Sequence, residues 1–150
     1  MAGSEPWLTL RRGYRSALAI LLEPSREVHV AAAGGRPVGF IIIAMTGPFK
    51  GYIQTIAVDP AHRGSGVGGR LISFAERRIF AESPNVFLCV SSFNHRARKL
   101  YERLDYKVIG RLKDYVVRGH SEILMRKTTG PLSGFKPARR ASPTRRKAPR

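Results

Sequence analysis

Four glycines within seven residues, Arg63-Gly64-Ser65-Gly66-Val67-Gly68-Gly69, constrain the fold of this chain more than any other feature. They lie between an apolar segment with β-strand character, residues 52–58, and an amphipathic segment that begins near Arg70. Glycine permits positive φ angles and a close approach of the backbone to a ligand, and the first turn of a helix carries unpaired N–H groups. The pattern predicts a strand, an anion-binding loop and a helix, so a phosphorylated ligand is the first hypothesis. A flexible strand-to-helix connection is the alternative interpretation.

Two familiar phosphate-loop patterns fit this segment poorly. Gly64, Gly66 and Gly69 match G-x-G-x-x-G, but in the dinucleotide fold the first glycine follows the strand directly and an acidic residue ends the next strand. Here residues 59–63 intervene, and the next predicted strand ends without an acidic residue. The P-loop pattern requires Lys-Ser or Lys-Thr after its last glycine, whereas Arg70 follows Gly69. The loop therefore belongs to another kind of phosphate site.

The pattern Arg-x-x-Gly-x-Gly, formed by residues 63–68 after a strand that ends in Asp59-Pro60, resembles the acetyl-CoA pyrophosphate loop of the GNAT N-acetyltransferase superfamily. A second motif lies downstream, where Asn94, Ala97 and Leu100-Tyr101-Glu102 resemble the family's Asn-x-x-Ala-x-x-Leu-Tyr-Glu. Asp105-Tyr106 follows in place of the usual Gly-Phe or Gly-Tyr. The similarity extends over residues 26–127 and is greatest to the ribosomal-protein-alanine and related N-terminal acetyltransferases.

The resemblance implies that acetyl-CoA is the acetyl donor and that Tyr101 is the general acid near the CoA sulfur. A phenol with a pKa of about 10 can give a proton to a thiolate whose conjugate acid has a pKa of about 8.5. A tyrosine that only fills the core is the alternative. The expected cofactor contacts are the strand before the loop, the loop itself and part of the second motif: Ile56, Ala57, Val58, Arg63, Gly64, Ser65, Gly66, Val67, Gly68, Gly69, Asn94 and Lys99.

The general base is harder to assign. The ribosomal-protein-alanine enzymes commonly carry Leu-Glu-Val in the strand before the second motif, whereas this chain has Leu88-Cys89-Val90. Cys89 is a poor nucleophile candidate, because cysteines buried in strands usually only fill space. We therefore expect deprotonation through water, assisted by Asp114, His120 or Glu122. The residues expected near the acceptor are Phe49, Cys89 and Tyr115.

Weak base assistance favours an acceptor that loses its proton easily. An α-amine with a pKa near 8 is about 10% neutral at pH 7, whereas a lysine amine near 10.4 is below roughly 0.1% neutral. The leading hypothesis is therefore an N-acetyltransferase acting on a primary amine, with a protein or peptide N-terminus preferred. One alternative is a small amine such as a polyamine, an aminoglycoside or an amino acid. Another is a basic nucleic-acid or ribosome-binding module built on an acyl-CoA scaffold, as the charges of residues 96–99 and of the C-terminal region would allow.

Positive charge is concentrated towards the C-terminus. The net charge is +17, and residues 128–150 supply +7 of it with four prolines and no acidic residue, which leaves +10 for residues 1–127. Low apolar content combined with high charge is typical of disorder. We therefore predict an acetyltransferase domain at residues 1–127 and a disordered basic tail at residues 128–150. Such a tail attracts nucleic acid or the ribosome nonspecifically, and a purely solubilising role is the alternative.

Several protein classes are disfavoured by composition. One cysteine excludes an intramolecular disulfide, and four scattered histidines give no metal-ligand spacing, so no metal is expected. No apolar run reaches the roughly 18 to 20 residues of a membrane span. Arg11-Arg12 and the apolar residues 17–22 imitate a twin-arginine signal, but acidic residues follow before the supposed cleavage site. We expect a cytoplasmic enzyme without membrane contact.

The apolar periodicity predicts the element order α-β-β-β-α-β-α-β-β, which gives an α/β fold with strands of mixed direction. In the GNAT family a strand normally precedes the first helix, and this sequence offers none there. The expected fold is a GNAT-like mixed central sheet flanked by helices that lacks the usual first strand, either because this member dispenses with it or because the true start lies further upstream. The predicted helices span residues 8–22, 70–81 and 94–104, and the predicted strands span residues 26–33, 38–45, 52–58, 86–91, 106–111 and 122–127.

Overall fold

A computed structural model describes residues 3–138 of the chain. Within that range the element order is the predicted one, with a short 3-10 turn at Pro60–His62 between the third strand and the second helix. The helices and strands are α1 (Tyr14–Leu21), β1 (Arg26–Ala33), β2 (Arg36–Ala44), β3 (Tyr52–Val58), α2 (Val67–Phe80), β4 (Asn85–Ser91), α3 (His95–Arg103), β5 (Lys107–Lys113) and β6 (Ser121–Thr128).

The six strands form one mixed sheet in the order β1-β2-β3-β4-β6-β5. The β3–β4 pair is parallel and the other four neighbouring pairs are antiparallel. This confirms the predicted fold class. The described residues before α1 form turns and no strand, so β1 is the edge strand, as expected for a sheet without the family's usual first strand.

A gap opens in the middle of the sheet between β3 and β4. The two strands pair only at Tyr52 with Phe87 and at Ile53 with Leu88, and beyond these residues they diverge. The divergence begins beside a β-bulge in β3, where Gln54 is the extra residue opposite β2. A bulge bends its strand and increases the local twist. The bend turns the second half of β3 away from β4 and creates a cleft between them.

The hydrophobic core fills one side of the sheet, under α2. Its central members include Ile41 and Ile43 of β2, and Tyr101 of α3 and the neighbouring Tyr106 belong to it as well. Side chains alternate between the two faces of a strand. Because alternate residues of β6 pack into this core, Glu122 faces the opposite side of the sheet. The α2 side chains that enter the core are Val67, Leu71, Ile72, Ala75 and Ile79.

Two helices begin at residues that differ from the sequence-based expectation by more than one position. α1 begins at Tyr14 rather than at residue 8, because Arg11 adopts a left-handed φ of +53° and Gly13 caps the helix. α2 begins at Val67 rather than at residue 70, with Gly66 as its N-cap at φ +84°. The last part of the predicted loop is therefore the first turn of α2.

Only the beginning of the predicted basic tail lies within the described range. Thr128 is the last residue of β6, and residues 129–138 contain no helix or strand. The Ala138 N–H donates to the Ala81 carbonyl at 2.9 Å, which returns this segment to the end of α2. The prediction for residues 139–150 falls outside the described residues. Along residues 3–138, no helix combines the length and the hydropathy that a membrane crossing requires.

Candidate active site

The glycine segment folds into a turn followed by a helix N-terminus. Gly64 and Gly66 have φ angles of +85° and +84°, which only glycine adopts without strain. The first hydrogen bond of α2 runs from the Arg70 N–H to the Gly66 carbonyl at 3.1 Å, so the N–H groups of residues 67–69 have no partner within the helix. Unpaired N–H groups and the positive end of the helix dipole at one place form a site for an anion.

A cavity of about 360 Å³ lies against this helix end. It is formed by the end of β3, the glycine segment, one face of α3 and the N-terminal segment. We call it the donor cavity. Most of the sequence-predicted cofactor residues line it, namely Ile56, Ala57, Val58, Arg63, Gly64, Gly66, Gly68, Gly69 and Asn94.

Three of the predicted cofactor residues do not line the donor cavity. The Val67 side chain is buried in the core under α2, and the Ser65 hydroxyl donates to the His62 carbonyl at 2.7 Å. Lys99 is exposed on α3. Arg96 and Arg103 line the cavity instead, and sequence analysis missed them. Helical periodicity from Leu100 could have found them, because residues three and four apart share a helix face.

Tyr101 lies where the donor cavity meets a second cavity. Its side chain is 5% exposed and packs edge-on against Tyr106, with ring centroids 5.9 Å apart. Burial raises the pKa of Tyr101 to about 12, so its hydroxyl keeps its proton at neutral pH. A protonated phenol at this junction can donate to a group that lies between the two cavities.

The second cavity, of about 260 Å³, occupies the gap between the diverging halves of β3 and β4. We call it the acceptor cavity. The Thr55 side chain is 4% exposed, and the Thr55 hydroxyl and the Gln54 side-chain oxygen have no partner among residues 3–138. Buried polar atoms of a folded protein are normally hydrogen-bonded, so these two atoms are suited to meet a polar ligand.

Two of the three residues predicted near the acceptor line the acceptor cavity, and the third does not. Cys89 lines the acceptor cavity, where burial raises the pKa of its thiol more than a hydrogen bond from the Tyr52 hydroxyl lowers it. The thiol is therefore protonated and weakly nucleophilic. Tyr115 lines the same cavity and is largely exposed. Phe49 lies outside both cavities and packs against Phe87 with ring centroids 4.9 Å apart.

Of the three residues expected to assist deprotonation, only one lies at the acceptor cavity. Asp114 accepts a hydrogen bond from the Gly119 N–H at 2.7 Å within the turn between β5 and β6. His120 packs edge-on against Phe93, with ring centroids 4.8 Å apart. Neither lines the acceptor cavity, whereas Glu122 does.

The N-terminal segment connects the two cavities, which sequence analysis did not foresee. Trp7 is 7% exposed and lines both cavities. Arg63 fixes this segment to the end of β3, because its guanidinium donates to the Ser4 hydroxyl at 3.1 Å and to the Val58 carbonyl at 3.3 Å. The sequence signal that could have predicted this role is a lone tryptophan in a segment with few other large apolar residues.

Residues 2–106, more than half of the chain, match the model of the Acetyltransferase (GNAT) family. The chain belongs to this family. GNAT enzymes use acetyl-CoA as the donor, so this protein is an acetyl-CoA-dependent N-acetyltransferase. The anion site at the start of α2 and the cleft between β3 and β4 fit this assignment, because the cavities at these two places share lining residues. No cluster of three metal-ligating side chains occurs among residues 3–138.

Relatives and solved structures agree on the family. The N-alpha-acetyltransferase RimI of Mycobacterium tuberculosis is 33% identical over 132 residues, which cover 85% of this chain and 79% of that protein. The crystal structure of an aminoglycoside 6'-acetyltransferase type Ii has a TM-score of 0.68 at 25% identity, and the match covers 83% of this chain and 84% of that one. An aminoglycoside 6'-N-acetyltransferase complexed with coenzyme A has a TM-score of 0.65 at 20% identity, covering 81% and 83%.

Proposed function

We propose that this GNAT enzyme acetylates the α-amine of a protein or peptide N-terminus, with Tyr101 as the general acid. The observation that carries the mechanism is the position of Tyr101, which is buried and lines both cavities. The observation that supports the acceptor class is the similarity, along most of the chain, to a relative named N-alpha-acetyltransferase.

Each part of acetyl-CoA would have its own binding region in the donor cavity. The pyrophosphate would bind at the N-terminus of α2, where unpaired N–H groups and the side chains of Arg96 and Arg103 supply positive charge. The pantetheine arm would follow residues 56–58 of β3, which have no strand partner across the cleft, with Asn94 at its side. In this binding mode the thioester would lie at the junction beside Tyr101.

The reaction follows from this arrangement. The acceptor loses its ammonium proton in the acceptor cavity, and the neutral amine then attacks the thioester carbonyl, which forms the C–N bond and an oxyanion. Backbone N–H groups of β3 near Ile56 and Val58 would stabilise that oxyanion, because they line the cleft without a partner on β4. Collapse of the intermediate breaks the C–S bond, and the Tyr101 hydroxyl gives its proton to the departing thiolate. The proton that the acylated nitrogen loses restores the Tyr101 hydroxyl, so the neutral amine and acetyl-CoA give the N-acetyl amine and CoA with a free thiol.

Electrostatics favour a peptide over a small cation. Residues 1–127 carry a net charge of +10, which repels polyamines and aminoglycosides and attracts an acidic peptide. The positive charge of residues 128–150 would add a weak, salt-sensitive attraction to nucleic acid without taking part in the chemistry. Acetylation of a small amine is the second candidate, because both solved structures described above are aminoglycoside acetyltransferases.

A panel of acceptors tests the proposal. The full chain is incubated with acetyl-CoA and peptides that differ in their first three residues, an N-terminally blocked peptide with one lysine, spermidine or kanamycin. Release of the CoA thiol gives the rate, and mass spectrometry locates the acetyl group. We expect the fastest acetylation on the α-amine of a peptide with acidic residues near its start. Acetylation confined to lysine, spermidine or kanamycin would contradict the proposal.

A further inference from the structure

The acceptor cavity is lined by a single carboxylate of the described part of the chain. Among the carboxylates of residues 3–138, Glu122 is the one that lines this cavity, and its side chain is almost entirely buried. Isolated carboxylates are rarely buried to this degree, because loss of hydration is costly. A buried carboxylate in a ligand cavity therefore indicates a functional role.

The sheet register explains how Glu122 reaches the cavity. Glu122 of β6 pairs with Ser91 of β4, and two residues along the same face Leu124 pairs with Cys89. Ile123 between them points to the core on the other side of the sheet. Glu122 is therefore diagonal to Cys89 on the same face, one strand further from β3.

A hydrogen bond fixes the orientation of this carboxylate. The Ser91 hydroxyl donates to Glu122 Oε1 at 2.6 Å. Glu122 Oε2 makes no hydrogen bond to residues 3–138, so it is the oxygen that can meet an ammonium group. The unpartnered Thr55 hydroxyl lies in the lining of the same cavity and offers a second polar contact.

We propose that Glu122 is the catalytic base of this enzyme, which binds the acceptor ammonium in the cavity between β3 and β4 and takes its proton. The inference rests on the function proposed above. The ammonium gives one proton to the carboxylate, which leaves a neutral amine with a free lone pair and a carboxylic acid. The lone pair attacks the thioester, and after product release the carboxylic acid returns its proton to water.

The groups around Glu122 adjust its acidity for this task. Burial raises the pKa of Glu122, while the Ser91 hydrogen bond and the charges of Arg12 and His120 lower it. Two further groups that line the cavity keep their protons at neutral pH, because burial raises the pKa of the Tyr52 hydroxyl and of the Cys89 thiol. A general base works best when its pKa approaches the working pH, which is the direction in which burial moves Glu122.

Glu122→Gln is the direct test, because the amide oxygen can still accept the Ser91 hydrogen bond while the base is removed. The full chain is assayed with acetyl-CoA and the peptide of the panel that is acetylated fastest, and kcat/KM is measured from pH 6 to 9. We expect a loss of about 10²-fold or more at pH 6 to 7 that shrinks towards pH 9, where a free α-amine with a pKa near 8 is itself largely neutral. Acetyl-CoA affinity by titration calorimetry should stay unchanged. Glu102→Gln, on the exposed side of α3, is the matched control and should behave as the wild type.

Ser91→Ala provides a second test that keeps the carboxylate. Removing a hydrogen bond that favours the ionised form should raise the pKa of Glu122 and move the acid limb of kcat/KM by about one pH unit to higher pH. A Glu122→Gln variant with wild-type kcat/KM, or an acid limb unmoved by Ser91→Ala, would overturn the inference and leave the proposed function intact. A wild-type protein that acetylates no acceptor in the panel would overturn both.

Discussion

The donor and acceptor cavities meet at Tyr101, yet they are built in different ways. The donor cavity is formed mainly by two continuous segments, residues 56–69 from the end of β3 to the start of α2, and residues 94–103 of α3 and its N-cap. The acceptor cavity combines side chains that are distant in sequence, among them Trp7, Thr55, Cys89 and Glu122. The donor site therefore depends on local backbone geometry, which suits a ligand shared by a whole family. The acceptor site depends on tertiary packing, which can change from one member to the next.

Tyr101→Phe should have the largest effect on turnover while leaving donor binding almost unchanged. Loss of the hydroxyl removes the proton donor at the junction, so kcat should fall by about 10² to 10⁴-fold, while acetyl-CoA affinity by calorimetry stays within about two-fold. Tyr106→Phe is a matched control, since this tyrosine is equally buried but lines neither cavity. Unchanged turnover in Tyr101→Phe would remove this residue as the acid.

A substitution in the glycine turn should weaken donor binding by more than its effect on stability explains. Gly66→Val places a β-branched residue at φ +84° and disturbs the start of α2, so acetyl-CoA affinity should fall by about ten-fold or more and the free energy of unfolding by about 2 kcal/mol. Gly35→Val, at φ +74° in the β1–β2 hairpin, imposes similar strain far from the cavities. It should lower thermal stability without changing affinity. Equal affinity losses in both variants would mean that Gly66 acts through stability only.

Substitutions of the basic residues of α3 should have smaller effects on acetyl-CoA affinity, which differ with the position of each residue. Arg96→Ala and Arg103→Ala should each weaken acetyl-CoA binding by about five-fold at low salt, since they face the donor cavity, and the loss should shrink as salt increases. Arg98→Ala should have little effect, because Arg98 pairs with Glu102 at 2.9 Å outside the cavity. Isothermal titration at two salt concentrations measures the differences. A larger loss for Lys99→Ala than for Arg96→Ala would instead support the sequence-based expectation that Lys99 contacts acetyl-CoA.

The difference between the locally built donor cavity and the acceptor cavity also explains which features could be predicted from the sequence. The glycine turn, Tyr101 and the Asn94 cap could be predicted because each depends on residues within one turn or one helix, and the Asn94 side chain accepts from the Ala97 N–H at 3.2 Å as an N-cap should. The strand pattern was also accessible, since β1 and β3 have the predicted bounds.

The rest depends on contacts that no local pattern encodes. The alternation of side chains along β6 puts Glu122 and Ile123 on opposite faces of the sheet. Only the pairing of β6 with β4, however, puts Glu122 beside Ser91 and Cys89. The late start of α1 follows from the turn at Arg11, and that segment carries Trp7 to the junction of the cavities. Both features require the assembled sheet.

The most direct test of this account is a crystal structure of the full chain with a bisubstrate analogue in which CoA is linked through an acetyl group to a peptide α-amine. The account predicts the pyrophosphate at the N–H groups of residues 67–69, the sulfur within hydrogen-bond distance of the Tyr101 hydroxyl, and the α-nitrogen on the side of Glu122. A sulfur remote from Tyr101, or a peptide that leaves the gap between β3 and β4 empty, would contradict it.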